Sequence, residues 1–350
     1  MHGPFVFSNH RWVTLSGANP ITCQAPAQSE FTCMKRFLLR RLLLALFTLF
    51  MLSLLVFFAT HLLPGDVGRK ILGPFADAES IKQLNKELGT DRPIPVQYLS
   101  WLSDTVRGDL GQSLNYSVPV SDKMFNALGK SAKLGGLAFL LVVPASILGG
   151  IVAALRRGRP IDRIITIGGL SAAVIPEFVW AVFFILVFGV KLKWLPVSAT
   201  PPEGSDVFTQ YKYLLLPAMC LVMVLFGYIA RITRAGVIEG LDADYTRTAR
   251  LKGLGNRAVV FRHVLRNALM PTIAVTATQI GYLLGGLVAV ELAFNYNGFG
   301  LLLLESVRQR DFPLLQACVL FTGGIFVLTT LLADVLYTLL NPRIRQAVLK

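Results

Sequence analysis

Gly129-Lys130-Ser131 is the fragment of this sequence closest to a nucleotide-binding loop. A phosphate-cradling loop needs a further glycine five residues before the Gly-Lys pair, and Met124 stands there. The fragment therefore reads as the lead-in to a hydrophobic span. Hydrolytic chemistry fares no better, because neither HExxH nor GxSxG occurs. His61 and His263 each fall at the edge of an apolar run, where a lone histidine serves as an interfacial anchor more readily than as a base. Cys23, Cys33, Cys220 and Cys318 form no CxxC or His/Cys cluster, so neither a metal site nor a disulfide framework is indicated. No metal ligands and no catalytic residues are assigned.

Two ionisable residues remain inside apolar segments, Glu177 beside Pro176, and Asp334. A charge at membrane depth costs at least ~2.5–3.5 kcal/mol, which makes each a candidate for a transport pathway. The plainer reading of Asp334 is neutralisation near the inner membrane face by Tyr337, Arg343 and Arg345. For Glu177 it is an inter-helix hydrogen bond beside a proline kink.

The elements that must hold these residues are set by composition. The chain is 54% hydrophobic and only 15% charged, with a mean hydropathy of +0.59, whereas a soluble domain carries about 25% charge. The expected architecture is all-α and polytopic. Six transmembrane helices are expected, near residues 42–63, 134–155, 164–190, 214–230, 272–290 and 314–340. The net charge of +14 is not a nucleic-acid signature in such a chain; its distribution decides topology. With both termini inside, the inner segments hold 19 Lys and Arg against four acids, and the outer loops 14 against 13. That asymmetry predicts an N-in, C-in arrangement.

One inner segment stands out. Between Asp244 and Asn267 the sequence DYTRTARLKGLGNRAVVFRHVLRN carries six Lys or Arg residues. Asp242 and Asp244 are placed to cap a helix start. Leu241, Tyr245 and Ala249 recur every four residues as one face, and Gly253, Gly255 and Asn256 supply a turn. A second helix begins near Arg257, with Phe261, Val264, Leu265 and Ala268 along one side and Arg262 and Arg266 on another. Two short helices at an angle make a projecting foot. On physical grounds it serves equally as a dock for a cytoplasmic partner or as a surface lying on anionic lipid.

DYTRTARLKGLGNRAVVFRHVLRNALMP closely resembles the cytoplasmic loop of binding-protein-dependent ABC importer permeases, in the dipeptide/oligopeptide/nickel group. FLLRRLLLALFTLFMLSLLVFFATHLLPGD, RGDLGQSL (Arg107–Leu114), VELAFNYNGFGLLLLESVRQRDFPLLQ and ADVLYTLLNPRIR are similar to other motifs of that group, in order, over Met34–Lys350. The resemblance implies a type I importer transmembrane domain over 34–350 and the first, B-type, permease subunit. Residues 241–271 then form the EAA coupling loop. It assigns the ATPase-facing role to Asp244, Tyr245, Arg247, Thr248, Ala249, Arg250, Lys252 and Gly253. Ala249 and Gly253 match the family's alanine and glycine, while Arg247 and Arg266 replace its Glu and Pro. The family's Trp-Pro-Gly-Leu-Gly becomes Tyr296-Asn297-Gly298-Phe299-Gly300 here, preceded by Asn295. Asp109, Gly298, Gly300 and Asp311 are the outer-loop candidates for docking a binding protein.

The implied partners are a second, similar permease, two ATPase subunits, an extracytoplasmic solute-binding protein and membrane lipid, with no nucleic acid. This chain would bind no cofactor and catalyse nothing; ATP and Mg would be used by the partner subunits. Peptides, a glutathione-like thiol, nickel chelates and opine-like solutes all fit as cargo. The rival is a self-sufficient ion-coupled transporter, which needs intramembrane titratable sites and usually inverted repeats; no convincing repeat is visible.

Residues 1–33 contain no apolar signal core, whereas Met34-Lys-Arg-Phe-Leu-Leu-Arg-Arg reads as a natural start. The leader is expected to be a misassigned or disordered extension. Mass spectrometry of the native chain should find Met34 at its N-terminus; one peptide from before Met34 would refute this.

Overall fold

The computed structural model describes residues 27–62, 67–73, 75–87 and 89–340. Residues 1–26 of the expected leader, and the arginines at 343 and 345, lie outside them; Ala27–Cys33 continue the first helix. That helix, α1, spans Ala27–Leu62. Three short outer helices follow: α2 (Val67–Leu72), α3 (Ala78–Glu87) and α4 (Ile94–Val106). Then come α5 (Val120–Leu155), α6 (Pro160–Val174), α7 (Glu177–Lys191) and α8 (Val207–Asp242). The foot helix α9 is Asp244–Leu251. A three-residue turn (Asn256–Ala258) and a π-helical stretch (Val259–Val264) lead into α10 (Leu265–Ala293). Helices α11 (Phe299–Arg308) and α12 (Phe312–Leu340) close the chain.

Local signals place most boundaries. Pro93 and Pro119 stand at the N-caps of α4 and α5, and Pro160 opens α6, where a missing N–H costs nothing. Asp206 caps α8: its carboxylate accepts from the Thr209 hydroxyl and from Thr209 N at 3.4 Å. Those bonds hold it below the usual carboxylate range.

Among the described residues, four helices are long and apolar enough to cross a bilayer, α1 (from Leu39), α5, α8 and α12 (to Val335). Counting α6 and α7 as one bent span makes five. The expected span 272–290 lies inside α10, which is not among these, so the count of six is not reproduced. The expected third span, 164–190, is not one continuous helix, because α6 and α7 meet at an angle of 101°. Pro176 is the cause. It has no N–H to continue the ladder and excludes α geometry for Ile175, which adopts φ −74°, ψ 124°. The indole of Trp180 donates to Ala172 O at 3.0 Å, satisfying a carbonyl that the break releases.

Helices in lipid gain nothing hydrophobic by associating and rely on close approach of small residues. Here α5 and α6 both pack on α8 through glycine. A Cβ on Gly150 would lie 2.6 Å from Ala230 O, and one on Gly227 would collide with the Gly169 carbonyl. Around these crossings lies the main core, with Leu134, Ala138 and Val142 of α5, Leu221, Leu225 and Ile229 of α8, and Leu287 and Val290 of α10. Large apolar side chains on α1 and α12 remain outward, including Leu55 (65% exposed) and Phe326 (55%). This is how a chain solvated by lipid looks.

The outer helix α4 is stacked on α1. Tyr98 and Trp101 pack on Phe57, and the hydroxyls of Ser53 and Tyr98 are 2.8 Å apart. His61 joins this cluster, 4.2 Å from the Phe57 ring and 3.1 Å from Gln97 Oε1, consistent with an anchor.

Gly227→Ala should lower the melting temperature of the purified protein in detergent, at a cost of ~1–3 kcal/mol from overpacking. Gly136→Ala, where a Cβ meets nothing within 4 Å, should leave it unchanged or raise it.

Candidate functional site: the basic foot and the outer cleft

The foot is mounted on a core of its own. Ala249, Val259, Val260 and Val264 are buried together with Leu265 and Ala268 of α10, Ala154 of α5 and Val237 of α8. Three helices thus converge beneath it. Gly236 lets α8 and α10 touch, since a Cβ there would run into Ala268 O. Thr246, fully buried, donates its hydroxyl to Gly240 O at 2.6 Å.

Several expectations about the foot are corrected. Helix α9 buries Thr246 and Ala249; of the expected face, Ala249 and the partly buried Leu241 join the core, whereas Tyr245 is 41% exposed. The N-cap of α9 is Ala243, with no side-chain cap. Asp242 instead pairs with Arg157 at 3.4 Å, while Asp244 occupies the first turn, where its charge favours the helix dipole. The π-helical stretch resets the helical phase, which buries Val259 and Val260 and turns Phe261 outward, 70% exposed.

What the foot presents is both cationic and apolar. Arg247, Thr248, Arg250, Lys252, Gly253 and Arg257 are exposed, and so are Arg262 and Arg266. None of these six basic residues forms an ion pair among the described residues. Beside them Leu251 is 82% exposed and Leu254 42%. Gly253 holds φ +78°, the left-handed region glycine adopts without strain, and ends α9. Helical periodicity put Phe261 on one side with Val264, Leu265 and Ala268, which are buried where Phe261 is not, and gave Leu251 no role.

The neighbouring inner loop is locked to α8. Arg234 grips Asp162 with two bonds of 2.6 and 2.8 Å, and Asp162 also accepts from Gly158 N and the Thr166 hydroxyl. In the sequence Asp162 had counted only as a charge.

The two acids in apolar segments differ in situation. Asp334 forms an ion pair with Arg41 of α1 at 3.2 Å; two of the partners expected for it, Arg343 and Arg345, lie outside the described residues. Glu177 is half-buried in the first turn of α7, just past the break, where the helix dipole favours a carboxylate.

On the outer side, Asp311 is buried and holds the RGDLGQSL turn. It accepts from the Ser113 hydroxyl, from Leu114 N and Asn115 N at 3.2 Å each, and from Leu314 N. Asp109 is exposed and accepts from Gly111 N. Gly298 and Gly300 are buried as well, although Gly298 lines the outer cleft. Between α5 and α11 opens a cleft of about 640 Å3, lined by Tyr116, Asp122, Lys123, Lys130, Asn297 and Glu305 among others. Lys123 Nζ sits 3.0 Å from the centre of the Tyr116 ring, whose hydroxyl donates to Glu305 at 3.0 Å. Burial and that carboxylate push the Tyr116 phenol above its ordinary range. Ser131, from the Gly-Lys-Ser fragment, is no mere lead-in. It is buried behind this cleft, donates to Glu291 and accepts from Phe299 N at 2.7 Å.

The family model described as binding-protein-dependent transport system inner membrane component matches residues 146–346, and the corresponding N-terminal model matches 34–129. The glutathione transport system permease protein GsiC of Shigella flexneri serotype 5b (strain 8401) is 39% identical over 312 residues, 89% of this chain and 99% of that protein. A probable peptide ABC transporter permease protein, y4tP, of Sinorhizobium fredii (strain NBRC 101917 / NGR234) is 35% identical over 309 residues, covering 88% and 99%. A solved amino acid ABC transporter chain covers 64% of this chain and 94% of its own at 17% identity, with a TM-score of 0.44. This chain belongs to the family of binding-protein-dependent transport system inner membrane components, as a multi-pass ABC importer permease of the cytoplasmic membrane.

Proposed function

We propose that this chain forms half of a translocation pathway for peptides or a peptide-like thiol such as glutathione, driven through the foot by a cytoplasmic ATPase. The observation that carries the coupling role is the exposed pair Leu251 and Phe261, set among unpaired cations on a rigidly packed base. Lipid contact would suit the charges, yet a base shared by α5, α8 and α10 suits the transmission of force. ATP-driven closure of two ATPase subunits would displace the foot as a body and carry the inner ends of α8 and α10 with it. A second, homologous permease would complete the pathway, and a solute-binding protein would deliver cargo at the outer loops. ATP and Mg would belong to the ATPase subunits, and no catalytic role is proposed for this chain; the Gly-Lys-Ser fragment lies in helix α5 with Gly129 and Lys130 exposed and only Ser131 buried. An ion-coupled mechanism is less well supported, since Asp334 is already paired with Arg41. Peptide-like cargo follows from what the named relatives are described as transporting.

The double variant Leu251→Asp/Phe261→Asp should insert normally yet retain at least ~10-fold less ATPase on co-purification, as expected for removing two interface anchors. Gly253→Trp should likewise abolish uptake while leaving insertion intact; normal uptake in either variant counts against the coupling role. Mass spectrometry of the ligand carried by the cognate binding protein should find a peptide or peptide-like thiol, and a bare metal ion or a sugar would exclude that cargo.

A further inference from the structure

Glu291 lies at the outer end of α10, completely buried, and the transport reading gives it no task. Both its oxygens are engaged: the Ser131 hydroxyl of α5 donates to Oε1, and Leu301 N, in the first turn of α11, donates to Oε2 at 2.8 Å. Ser131 in turn accepts from Phe299 N. One carboxylate therefore ties three helices, and it satisfies N–H groups that the start of α11 would otherwise leave open. The surrounding backbone is shaped to admit it. A Cβ on Gly298 would collide with the Glu291 carboxylate and approach Ser131 Oγ to 2.6 Å, and one on Gly300 would come within 2.9 Å of Val288 Cα. Two further bonds brace the same turn. The Tyr296 hydroxyl donates to Lys130 O at 2.9 Å, and Ala199 N of the second outer loop donates to Phe294 O at 2.8 Å.

The placement of this knot is what gives it consequence. Gly298, Leu301 and Glu305 form one wall of the outer cleft, and Ala127 and Lys130 form the other. Glu291 and Ser131 stand behind both walls and fix their separation. At its opposite end, α10 starts in the foot's own core through Leu265 and Ala268. Its 29 residues cover about 43 Å at the usual rise of 1.5 Å per residue. We propose that Glu291 is a positioning residue of the transport cycle: it fastens the outer cleft to α10, so that displacement of the foot changes the shape of the cleft, and occupation of the cleft is felt at the foot. The inference rests on the reading of the foot as the ATPase seat. Energetic coupling between distant sites needs an element that both sites bias, and α10 with its two anchored ends is that element.

The test uses the complete importer in lipid nanodiscs, with partner permease, ATPases and binding protein. Basal ATP hydrolysis, its stimulation by liganded binding protein, and import are measured together. In Glu291→Ala, basal hydrolysis should persist while stimulation and import fall about tenfold, the scale of an ordinary allosteric coupling. Glu291→Gln, which keeps acceptor oxygen for Ser131 or Leu301 N, should recover most of both. Unchanged stimulation in the alanine variant would overturn the proposal. So would a parallel loss of basal hydrolysis, stimulation and import in both variants, which marks a purely structural role. A wild-type complex that neither imports nor responds to binding protein would overturn the transport reading instead, before any variant is compared.

Discussion

The arrangement depends on the contact between the backbones of Gly169 and Gly227, together with that of Gly150 against Ala230. In a bilayer no hydrophobic force draws one helix to another, so association must come from contact close enough for dispersion between main chains. α8 supplies this on two sides at once, receiving α5 on one and α6 on the other. Everything else is hung from that crossing. The bend at Pro176 turns α7 by 101° from α6, and the ion pair of Asp162 with Arg234 fixes the first turn of α6 to α8.

From the crossing, two ends of the molecule acquire different characters. The inner end gathers α5, α8 and α10 beneath a small apolar core and offers cations and bare leucine and phenylalanine to its surroundings. The outer end is knotted by buried acids: Asp311 gathers the turn before α5, and Glu291 gathers the start of α11. Such residues are costly to bury unless each oxygen finds a donor, and here the donors are main-chain N–H groups and serine hydroxyls. The result is a permease whose two faces are each stiff, joined by long helices.

Much of this was legible in the sequence, and the gaps have identifiable causes. Charge asymmetry and motif order identified the family and located the foot. Pro119 and Pro160 mark helix starts that the expected spans, from 134 and 164, did not use; Pro176 hinted at the break, but its 101° scale depends on the packing of α6 against α8, which no local rule supplies. Phe261 was assigned to the wrong face because periodicity presumes 3.6 residues per turn, and Val259–Val264 is π-helical. Gly298, Gly300 and Asp311 were read as surface because they sit in a loop; they are buried because Glu291, Ser131 and Ser113, distant in sequence, converge on them. Pairings across 160 to 200 residues leave no trace in local pattern. Leu251 was overlooked for the opposite reason, since an exposed leucine acquires meaning only once its neighbours are seen to be buried.

The ion pair between Arg41 and Asp334 joins the first long helix to the last. Nearly three hundred residues separate the two, so at 5–20 residues per second the ribosome needs roughly 15 to 60 s to supply the second after the first. Until then the face of α1 that receives α12 lacks that neighbour, while α4, made much earlier, can already pack on Phe57. The contact between the first long helix and the last can therefore form only once translation has supplied α12. A chain truncated before α12 would keep the stacking of α4 on α1 but lose the broader face that α1 packs against the last helix.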